Sequence, residues 1–255
     1  MLLAVDVGNT QTVLGLWSGL ELVTTWRIAT RRELTADDIA TRVDGLLSLA
    51  AIDAEAITGL IVSTTVPSLT TAWTGVGEGV LRVPTMPVGP GLKSGMPIRM
   101  DSPHEVGPDR IVNAIAAIDR YGGPCISVDF GTSTNFDAVS ADGAYVGGVL
   151  APGIAISMEA LFARAARLSS VEFTVPPTVI GKNTVHALQS GVLYGFAGQV
   201  DGIVRRMVAE LGGAPTVVAT GGLSGLIFPH AETLQHLAPD LTLEGLRLLW
   251  ERNTP

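Results

Sequence analysis

The stretch Val5-Asp6-Val7-Gly8-Asn9-Thr10 returns in closely related form later in the chain as Val128-Asp129-Phe130-Gly131-Thr132-Ser133. In both stretches an apolar run ends at an aspartate, a glycine and small polar residues follow, and a second apolar run begins at Val13 or Phe136. This pattern predicts a unit of two strands joined by a tight turn, and the unit occurs twice in the chain. Because glycine lets a backbone approach a ligand and turn amides bind anions, two such hairpins facing each other would form a clamp for nucleotide phosphates.

Length and duplication together predict the domain organisation. The chain has 255 residues, of which 47% are hydrophobic, enough for one large core or two modest ones. The repeated hairpin favours two cores, and Gly122-Gly123-Pro124 marks a break before the second copy. We therefore predict an N-terminal domain at 1–121 and a C-terminal domain at 122–255.

The alternation of predicted strands and helices indicates an α/β fold. Thr35 is a suitable cap for a helix at Ala36–Leu49, and the proline-rich and glycine-rich segment Val83–Pro103 predicts a long loop leading toward a site. Further strands are predicted at Glu21–Ile28, Gly59–Thr65 and Thr216–Thr220, and further helices at Ser68–Leu81, from Pro108, and at Gly153–Arg167, Thr184–Leu211 and Leu243–Arg252.

Charge and composition exclude several classes of protein. The chain has 24 acidic and 16 basic residues, and its net charge of −8 argues against nucleic-acid binding. The uncharged stretch Gly143–Met158 is interrupted by glycines and a proline, so we expect no membrane span. No secretory signal is visible at the start of the sequence, and we expect a cytoplasmic protein. Cys125 lies in an apolar run and is expected to be a buried packing residue.

A second group of residues that suits chemistry is Gly107-Pro108-Asp109-Arg110, at the start of a predicted helix. Asp109 could act as a general base with Arg110 as an anion clamp, or the pair could be an ordinary helix-terminal acid and a surface arginine. The glycines at Gly147–Gly153 suit a phosphate-facing helix start or plain packing. Gly221-Gly222 suits an adenine or ribose contact or an ordinary turn, and either Asn183 or Thr184 could cap the following helix.

Lys182 could contact a phosphate and His104 could contact a substrate, or both could be plain surface residues. Two common catalytic signatures are missing. No Gly-x-x-x-x-Gly-Lys-[Ser/Thr] occurs, which excludes a P-loop, and no Gly-x-Ser-x-Gly elbow occurs, which argues against an acyl-enzyme hydrolase.

In their order along the chain, these motifs resemble those of type III pantothenate kinases, members of the acetate-kinase, sugar-kinase, Hsp70 and actin superfamily. The resemblance covers nearly the whole chain. It implies an actin-like ATPase fold of two ribonuclease-H-like domains with the active site in the cleft between them. It also implies ATP-dependent phosphorylation of pantothenate to 4′-phosphopantothenate, the first step of coenzyme A biosynthesis. The matching segments are residues 6–10, 106–110, 129–132, 147–153, 180–184 and 219–222.

The resemblance further implies a role for each matching residue. Asp109 would accept the proton of the pantothenate hydroxyl, and Thr184 would reach the pantothenate of the neighbouring subunit, which implies a homodimer with a shared active site. Asp129 would hold a monovalent cation, potassium or ammonium, and magnesium would arrive with ATP. Thr132 would contact the ATP phosphates. The first phosphate loop would comprise Asp6, Val7, Gly8, Asn9, Thr10, Gln11, Thr12 and Val13, and the pantothenate pocket would be lined by Gly107, Pro108, Asp109 and Arg110.

The chain departs from the family pattern at three places. Met100 to Pro103 stand where many members carry an aromatic residue, Pro108 stands where alanine is frequent, and Ser133 replaces a common alanine. Two other functions remain open: a catalytically silent ATP-binding or regulatory protein, and a superfamily kinase, or a phosphatase, for another small hydroxy acid.

Overall fold

The computed structural model describes residues 1–164 and 171–254. They form two compact units, each built on one five-stranded sheet. The first unit comprises Met1–Gly95, His104–Ala116 and the chain from Thr242 onward, and the second comprises Met96–Pro103 and Ala117–Leu241. The units are thus interleaved along the sequence, and the division expected at residues 121 and 122 stays a prediction.

The elements alternate along the chain as the sequence predicts. The strands are β1 (Leu2–Val7), β2 (Gln11–Ser18), β3 (Glu21–Ala29), β4 (Gly59–Thr64), β5 (Thr85–Pro87), β6 (Cys125–Phe130), β7 (Ser133–Val139), β8 (Tyr145–Pro152), β9 (Thr216–Thr220) and β10 (His236–Leu237). The helices are α1 (Ala36–Leu49), α2 (Pro67–Gly75), α3 (Pro108–Tyr121), α4 (Ile154–Arg164), α5 (Thr184–Leu211), α6 (Ser224–Ile227) and α7 (Leu241–Asn253).

The two sheets repeat one topology, which confirms the predicted α/β class. The strand order is β3-β2-β1-β4-β5 in the first unit and β10-β9-β6-β7-β8 in the second, the same order read from opposite ends. In each sheet the first three strands along the chain pair antiparallel, as β1-β2-β3 and β6-β7-β8. The two later strands, β4 and β5 or β9 and β10, run parallel to β1 or β6. Both predicted hairpins are therefore present, as β1–β2 and β6–β7.

The first sheet is covered on both faces. Alternate residues of β1, Leu3, Val5 and Val7, are fully buried against α1 and α2. On the opposite face α7 packs so closely that a Cβ at Gly15 would lie 2.7 Å from Leu243 and a Cβ at Gly59 would lie 2.6 Å from Trp250. A sheet with two covered faces exposes its ligand-binding groups only at the ends of its strands.

The second sheet has its main core on one face. Ile126 and Val128 of β6 and Phe136 of β7 are fully buried. They pack with apolar residues of α4 and α5, among them Met158 and Val200. The buried thiol of Cys125 lies on the other face of β6, and its burial raises the pKa to about 12. Cys125 is the packing residue that the sequence predicts.

Sequence patterns locate most helices closely. Thr35 caps α1 as predicted, and Asp38 completes a capping box that was not predicted, because the two residues bond reciprocally to each other's backbone N–H groups. The bounds of α1, α5 and β9 coincide with the predicted ones. The predicted helix at Gly153–Arg167 begins at Ile154 as α4, and its last three residues lie outside the described part of the chain.

Three predicted segments differ from the structure in detail. The helix expected at Ser68–Leu81 is α2 followed by a π-helical segment at Val76–Leu81. This segment holds two glycines, which disfavour the α-helix. The loop expected at Val83–Pro103 contains β5, and Ile98 forms a bridge with Tyr145. Of the glycines expected to precede α4, Gly147 and Gly148 belong to β8, and Gly153 directly precedes the helix.

Within the described residues, no helix has both the length and the apolar content that a membrane crossing requires.

Candidate active site

In the first unit the carboxylate of Asp6 lies at the end of the central strand. Because β1 and β4 run parallel, their carboxyl ends meet at one edge of the sheet, and Asp6 is in register with Ser63 of β4. The Ser63 hydroxyl is fully buried and has no hydrogen-bond partner among the described residues. Ser63 cannot be predicted from the sequence, since a serine inside an apolar run gives no signal of its own.

The turn after Asp6 is fixed by backbone hydrogen bonds while its side chains stay exposed. The Gly8 N–H donates to the Gln11 carbonyl at 3.0 Å, and the Thr30 N–H donates to the Thr10 carbonyl at 2.9 Å. The hydroxyls of Thr12 and Thr30 bond to each other at 2.8 Å. Asn9, Thr10 and Gln11 are exposed, so this part of the first phosphate loop is a rigid turn that presents polar groups outward.

Asn9 is held from two sides. Arg32, which follows β3, donates Nη2 to Oδ1 of Asn9 at 3.1 Å. Asn9 donates Nδ2 to Oγ1 of Thr65, just after β4, at 3.4 Å, and Thr65 donates Oγ1 and its backbone N–H to the Val7 carbonyl at 3.2 and 3.0 Å. Neither Arg32 nor Thr65 was named by the sequence analysis, because the contact is visible only once three strand ends meet.

Asp109 lies in the first turn of α3, as predicted, with Pro108 at the first helical position. Its side chain is half-buried. Burial raises the pKa of the carboxyl, while the backbone N–H and the positive charge of Arg110 act in the opposite direction. A carboxylate with a raised pKa is a stronger base than an exposed one.

Gly107 makes room for the Asp109 side chain. A Cβ at position 107 would lie 2.6 Å from Oδ1 of Asp109. The Gly107 carbonyl accepts the N–H of Arg110 at 3.1 Å and begins the hydrogen-bonding of the helix. The predicted motif at Gly107–Arg110 is thus one packed turn whose glycine permits the position of the carboxylate.

In the second unit Asp129 repeats the place of Asp6. It is in register with Thr220 at the end of the parallel strand β9. The Thr220 hydroxyl is buried and has no hydrogen-bond partner among the described residues. Gly221 follows with a φ of +91°, and an added Cβ there would overlap Oδ1 of Asp129. The glycine turn that the sequence offered for adenine or ribose therefore packs directly against the Asp129 carboxylate.

The turn that contains Thr132 lies against the start of α4. The Gly131 N–H donates to the Ser133 carbonyl at 3.0 Å, and the Gly153 N–H donates to the Thr132 carbonyl at 3.1 Å. A Cβ at Gly153 would come within 2.6 Å of the Gly131 carbonyl oxygen. This glycine is therefore required by the close approach of two backbone segments, which supports the packing alternative at that position.

Thr184 is the exposed first residue of α5. Asn183 is the cap, because its side chain accepts the N–H of His186 at 2.9 Å. The alternative that Thr184 caps the helix is excluded, so its hydroxyl is not needed there. Lys182 and His104 are both exposed.

The sequence-predicted residues divide between the units. The first phosphate loop and the Gly107–Arg110 turn lie in the first unit, and Asp129, Thr132 and Thr184 lie in the second. Within the described residues, no group of three or more histidine, cysteine, aspartate or glutamate side chains is arranged to hold a metal ion.

Solved structures with the same fold are found over the full length of the chain. Component A of (R)-2-hydroxyglutaryl-CoA dehydratase from Acidaminococcus fermentans is similar over 99% of both chains, with a TM-score of 0.57 and 14% identity. A candidate 2-dehydro-3-deoxygalactonokinase from Sinorhizobium meliloti matches with a TM-score of 0.57 and 14% identity, over 100% of this chain and 97% of that chain. These matches confirm the two-domain α/β fold of actin-like ATPases and sugar kinases.

Sequence comparison is more specific. The sequence profile of the family described as type III pantothenate kinase matches residues 2–206. The type III pantothenate kinase of Moorella thermoacetica is 52% identical over 254 residues, which are 100% of both chains. That of Streptomyces avermitilis is 52% identical over 261 aligned positions, covering 99% of this chain and 98% of the relative. This chain belongs to the type III pantothenate kinase family.

Proposed function

We propose that this pantothenate kinase, an enzyme of coenzyme A biosynthesis, transfers the γ-phosphoryl group of ATP to the primary hydroxyl of pantothenate, with Asp109 as the general base and a monovalent cation at Asp129. The observation that carries the proposal is the Asp109 turn: a half-buried carboxylate of raised pKa at a helix start, with an arginine next to it. The family profile, which matches residues 2–206, includes both phosphate turns, Asp109, Asp129 and Thr184.

In the proposed reaction Asp109 accepts the proton of the pantothenate hydroxyl as its oxygen attacks the γ-phosphorus. The bond between that phosphorus and the β,γ-bridging oxygen breaks, and ADP leaves with the electron pair. Arg110, adjacent in the same helical turn, is placed to bind the pantothenate carboxylate through its guanidinium. Phosphoryl transfer asks the protein mainly to align the nucleophile and neutralise charge, so a positioned base and an anion clamp suffice on the acceptor side.

The triphosphate is assigned to the two glycine turns. The exposed groups of Asn9, Thr10 and Gln11 stand on a rigid backbone in the first phosphate loop, and Thr132 lies in the corresponding turn of the second unit. Magnesium arrives with the nucleotide, as is usual where phosphate oxygens complete its coordination.

The residues around Asp129 fit a monovalent cation. Potassium and ammonium are bound in proteins by oxygen atoms, and Asp129 supplies a carboxylate next to the buried Thr220 hydroxyl, an oxygen with no hydrogen-bond partner in the described structure. When bound, the cation would add positive charge beside the phosphates of a protein whose net charge is −8.

The first test is coupled ATP turnover with pantothenate in potassium chloride and in sodium chloride at matched ionic strength, with a panel of other hydroxy acids. We expect pantothenate-dependent turnover that requires potassium or ammonium. Turnover in all salts would remove the cation role, and turnover with another acid alone would remove pantothenate. Nucleotide binding with no turnover of any acceptor would leave the catalytically silent alternative.

We also propose a homodimer in which Thr184 completes the partner's site. Exposed apolar side chains are frequent in the sequence around Thr184, and Ile180 is 82% exposed. Where such side chains form a contiguous patch, they mark a protein interface. Within the described residues, seven of the exposed large apolar side chains lie between positions 150 and 185: Leu150, Ile156, Leu161, Val175, Val179, Ile180 and Val185.

Mixing two inactive variants tests the shared site. An Asp109→Asn protomer lacks the base, and a Thr184→Ala protomer lacks the proposed partner contact. If Thr184 acts across the interface, a mixed dimer has one complete site, and random mixing should restore about a quarter of wild-type turnover. If Thr184 acts within its own subunit, no complete site forms and the mixture stays inactive.

A further inference from the structure

Three chain segments converge on Asn9 at one edge of the first sheet. β2 leaves the first phosphate loop and β3 returns beside it, with Gln11 in register with Ala29. Arg32 therefore emerges next to the loop that β1 and β2 form. Thr65 emerges on the other side, since β4 runs parallel to β1. Asn9 lies between Arg32 and Thr65 and bonds to both.

These two contacts fix the orientation of the Asn9 amide. Arginine can only donate hydrogen bonds, so the Asn9 atom facing Arg32 must be the carbonyl oxygen Oδ1. The nitrogen Nδ2 then lies on the other side and donates one hydrogen to Thr65. Within the described part of the chain, its second hydrogen has no protein acceptor.

We propose that Arg32 is a positioning residue for the nucleotide: by holding the carbonyl oxygen of Asn9, it makes the first phosphate loop present an amide N–H to the phosphates. The inference rests on the proposed use of ATP. A rotated Asn9 would present its carbonyl oxygen to an anion, and that contact is repulsive. The guanidinium also adds positive charge at the loop of an acidic protein.

The backbone around Arg32 supports a defined position for this side chain. Thr30 is tied to the loop through its N–H and its hydroxyl. The hydroxyl of Ser68, in α2, donates to the Arg32 carbonyl at 3.5 Å. The backbone is therefore anchored by hydrogen bonds at Thr30 and at Arg32 itself. A purely solvated surface arginine would need neither contact.

The test compares Arg32→Gln and Arg32→Lys with the matched control Arg31→Gln. Arg31 has the same charge and is also exposed, but in the described structure its side chain makes no hydrogen bond to the loop. Binding of magnesium-ATP and of adenosine is measured by calorimetry on the full chain, together with KM and kcat for ATP and pantothenate.

For Arg32→Gln we expect the Kd and KM for ATP to rise about tenfold, the loss typical of one charged hydrogen bond. The Kd for adenosine and the KM for pantothenate should stay within about twofold of wild type, because neither reports on the phosphates. Arg32→Lys should recover much of the ATP affinity, since an ammonium can also donate to Oδ1 of Asn9. Arg31→Gln should match wild type.

Equal ATP affinity for Arg32→Gln and Arg31→Gln would overturn the inference, as would an equal loss of ATP and adenosine binding, which indicates general damage. The inference would also be contradicted if Arg32→Gln lost ATP affinity and Arg32→Lys, with a normal melting temperature, did not recover it. Failure of the proposed function gives a different result. Arg32→Gln would then still bind ATP more weakly than wild type, but neither protein would phosphorylate pantothenate.

Discussion

Gly221→Ala is the substitution that most directly tests the assignment of Asp129. Gly221 has a φ of +91°, a conformation that residues with a side chain rarely adopt. An added Cβ would overlap Oδ1 of Asp129 and would lie 2.6 Å from the N and 2.8 Å from the C of Phe130. Two of these three contacts are with backbone atoms, so a side-chain rotation cannot relieve them.

The loss of folding stability in Gly221→Ala has two sources, the strained backbone conformation and the overlap of the added Cβ. An L-residue held at an unfavourable positive φ costs about 1–3 kcal/mol, and overpacking against backbone adds about 1–3 kcal/mol. The sum of about 2–6 kcal/mol is a large part of the roughly 5–15 kcal/mol by which proteins are stable. At about 2–4 °C per kcal/mol for a chain of this size, the lower limit predicts a fall in melting temperature of about 4 °C or more.

Potassium-dependent turnover should also suffer, because the side chain that the added Cβ displaces is the proposed cation ligand. We expect the potassium concentration for half-maximal turnover to rise about tenfold, equivalent to losing one charged contact. Turnover is measured against potassium at fixed ionic strength, and the melting temperature is measured by calorimetry in the same salts.

Gly225→Ala is the matched control. Gly225 lies in α6, in the same turn region, and an added Cβ there would meet nothing within 4 Å. This variant should keep wild-type potassium dependence and equal or higher stability, since alanine favours the helix. If the two variants give the same melting temperature and the same potassium dependence, the close packing of Gly221 on Asp129 has no role in cation binding, and the reasoning is wrong.

Four further predictions concern three other residues. Asp109→Asn should abolish turnover without lowering stability at pH 7. Burial raises the pKa of the Asp109 carboxyl above the usual 3.8, so the folded state loses stability as the pH rises from 3.8 through the raised pKa and the carboxyl ionises. A variant that is less stable than wild type in denaturant unfolding at pH 7 would contradict this. Wild-type turnover should fall as the pH is lowered through that raised pKa, since the base must be deprotonated, and a flat acidic limb in the pH profile would refute the base. Cys125, with a pKa of about 12, should react with iodoacetamide at pH 8 only after unfolding, whereas rapid labelling of the native protein would show that it is accessible. Ile180→Asp should convert the proposed dimer to a monomer in light scattering, and an unchanged mass would remove Ile180 from the interface.

The parts of this structure that the sequence predicts are those with a strong local signal. The helix at Ala36–Leu49 has a capping box, and the helix at Thr184–Leu211 has an asparagine cap and a glycine at its end. The hairpins have glycine turns between apolar runs. Each of these signals lies within a few residues and depends little on the rest of the chain.

The missed parts depend on contacts between distant residues. β5 has three residues and forms only because β4 offers a parallel edge. Ser63 and Thr220 enter the candidate site because parallel register brings them beside Asp6 and Asp129. Arg32 enters because three strand ends meet at Asn9. Local patterns predict none of these pairings, since residue type alone does not fix which strands become neighbours.

In the proposed function the two strand-end aspartates serve different ions, and the duplicated scaffold offers a physical reason for that difference. Asp6 and Asp129 occupy equivalent places, each in register with a buried hydroxyl on the neighbouring parallel strand. One position further, β4 continues with Thr64 in the strand, whereas β9 ends and Gly221 turns with a positive φ against Asp129. The missing side chain lets the backbone approach the second carboxylate closely, and an enclosed carboxylate suits a cation that has shed its water. Position 64 carries a threonine in place of that glycine, and we expect the first carboxylate to meet the hydrated magnesium that accompanies ATP. If the proposed function holds, the same fold element would yield two unlike sites through one change from threonine to glycine.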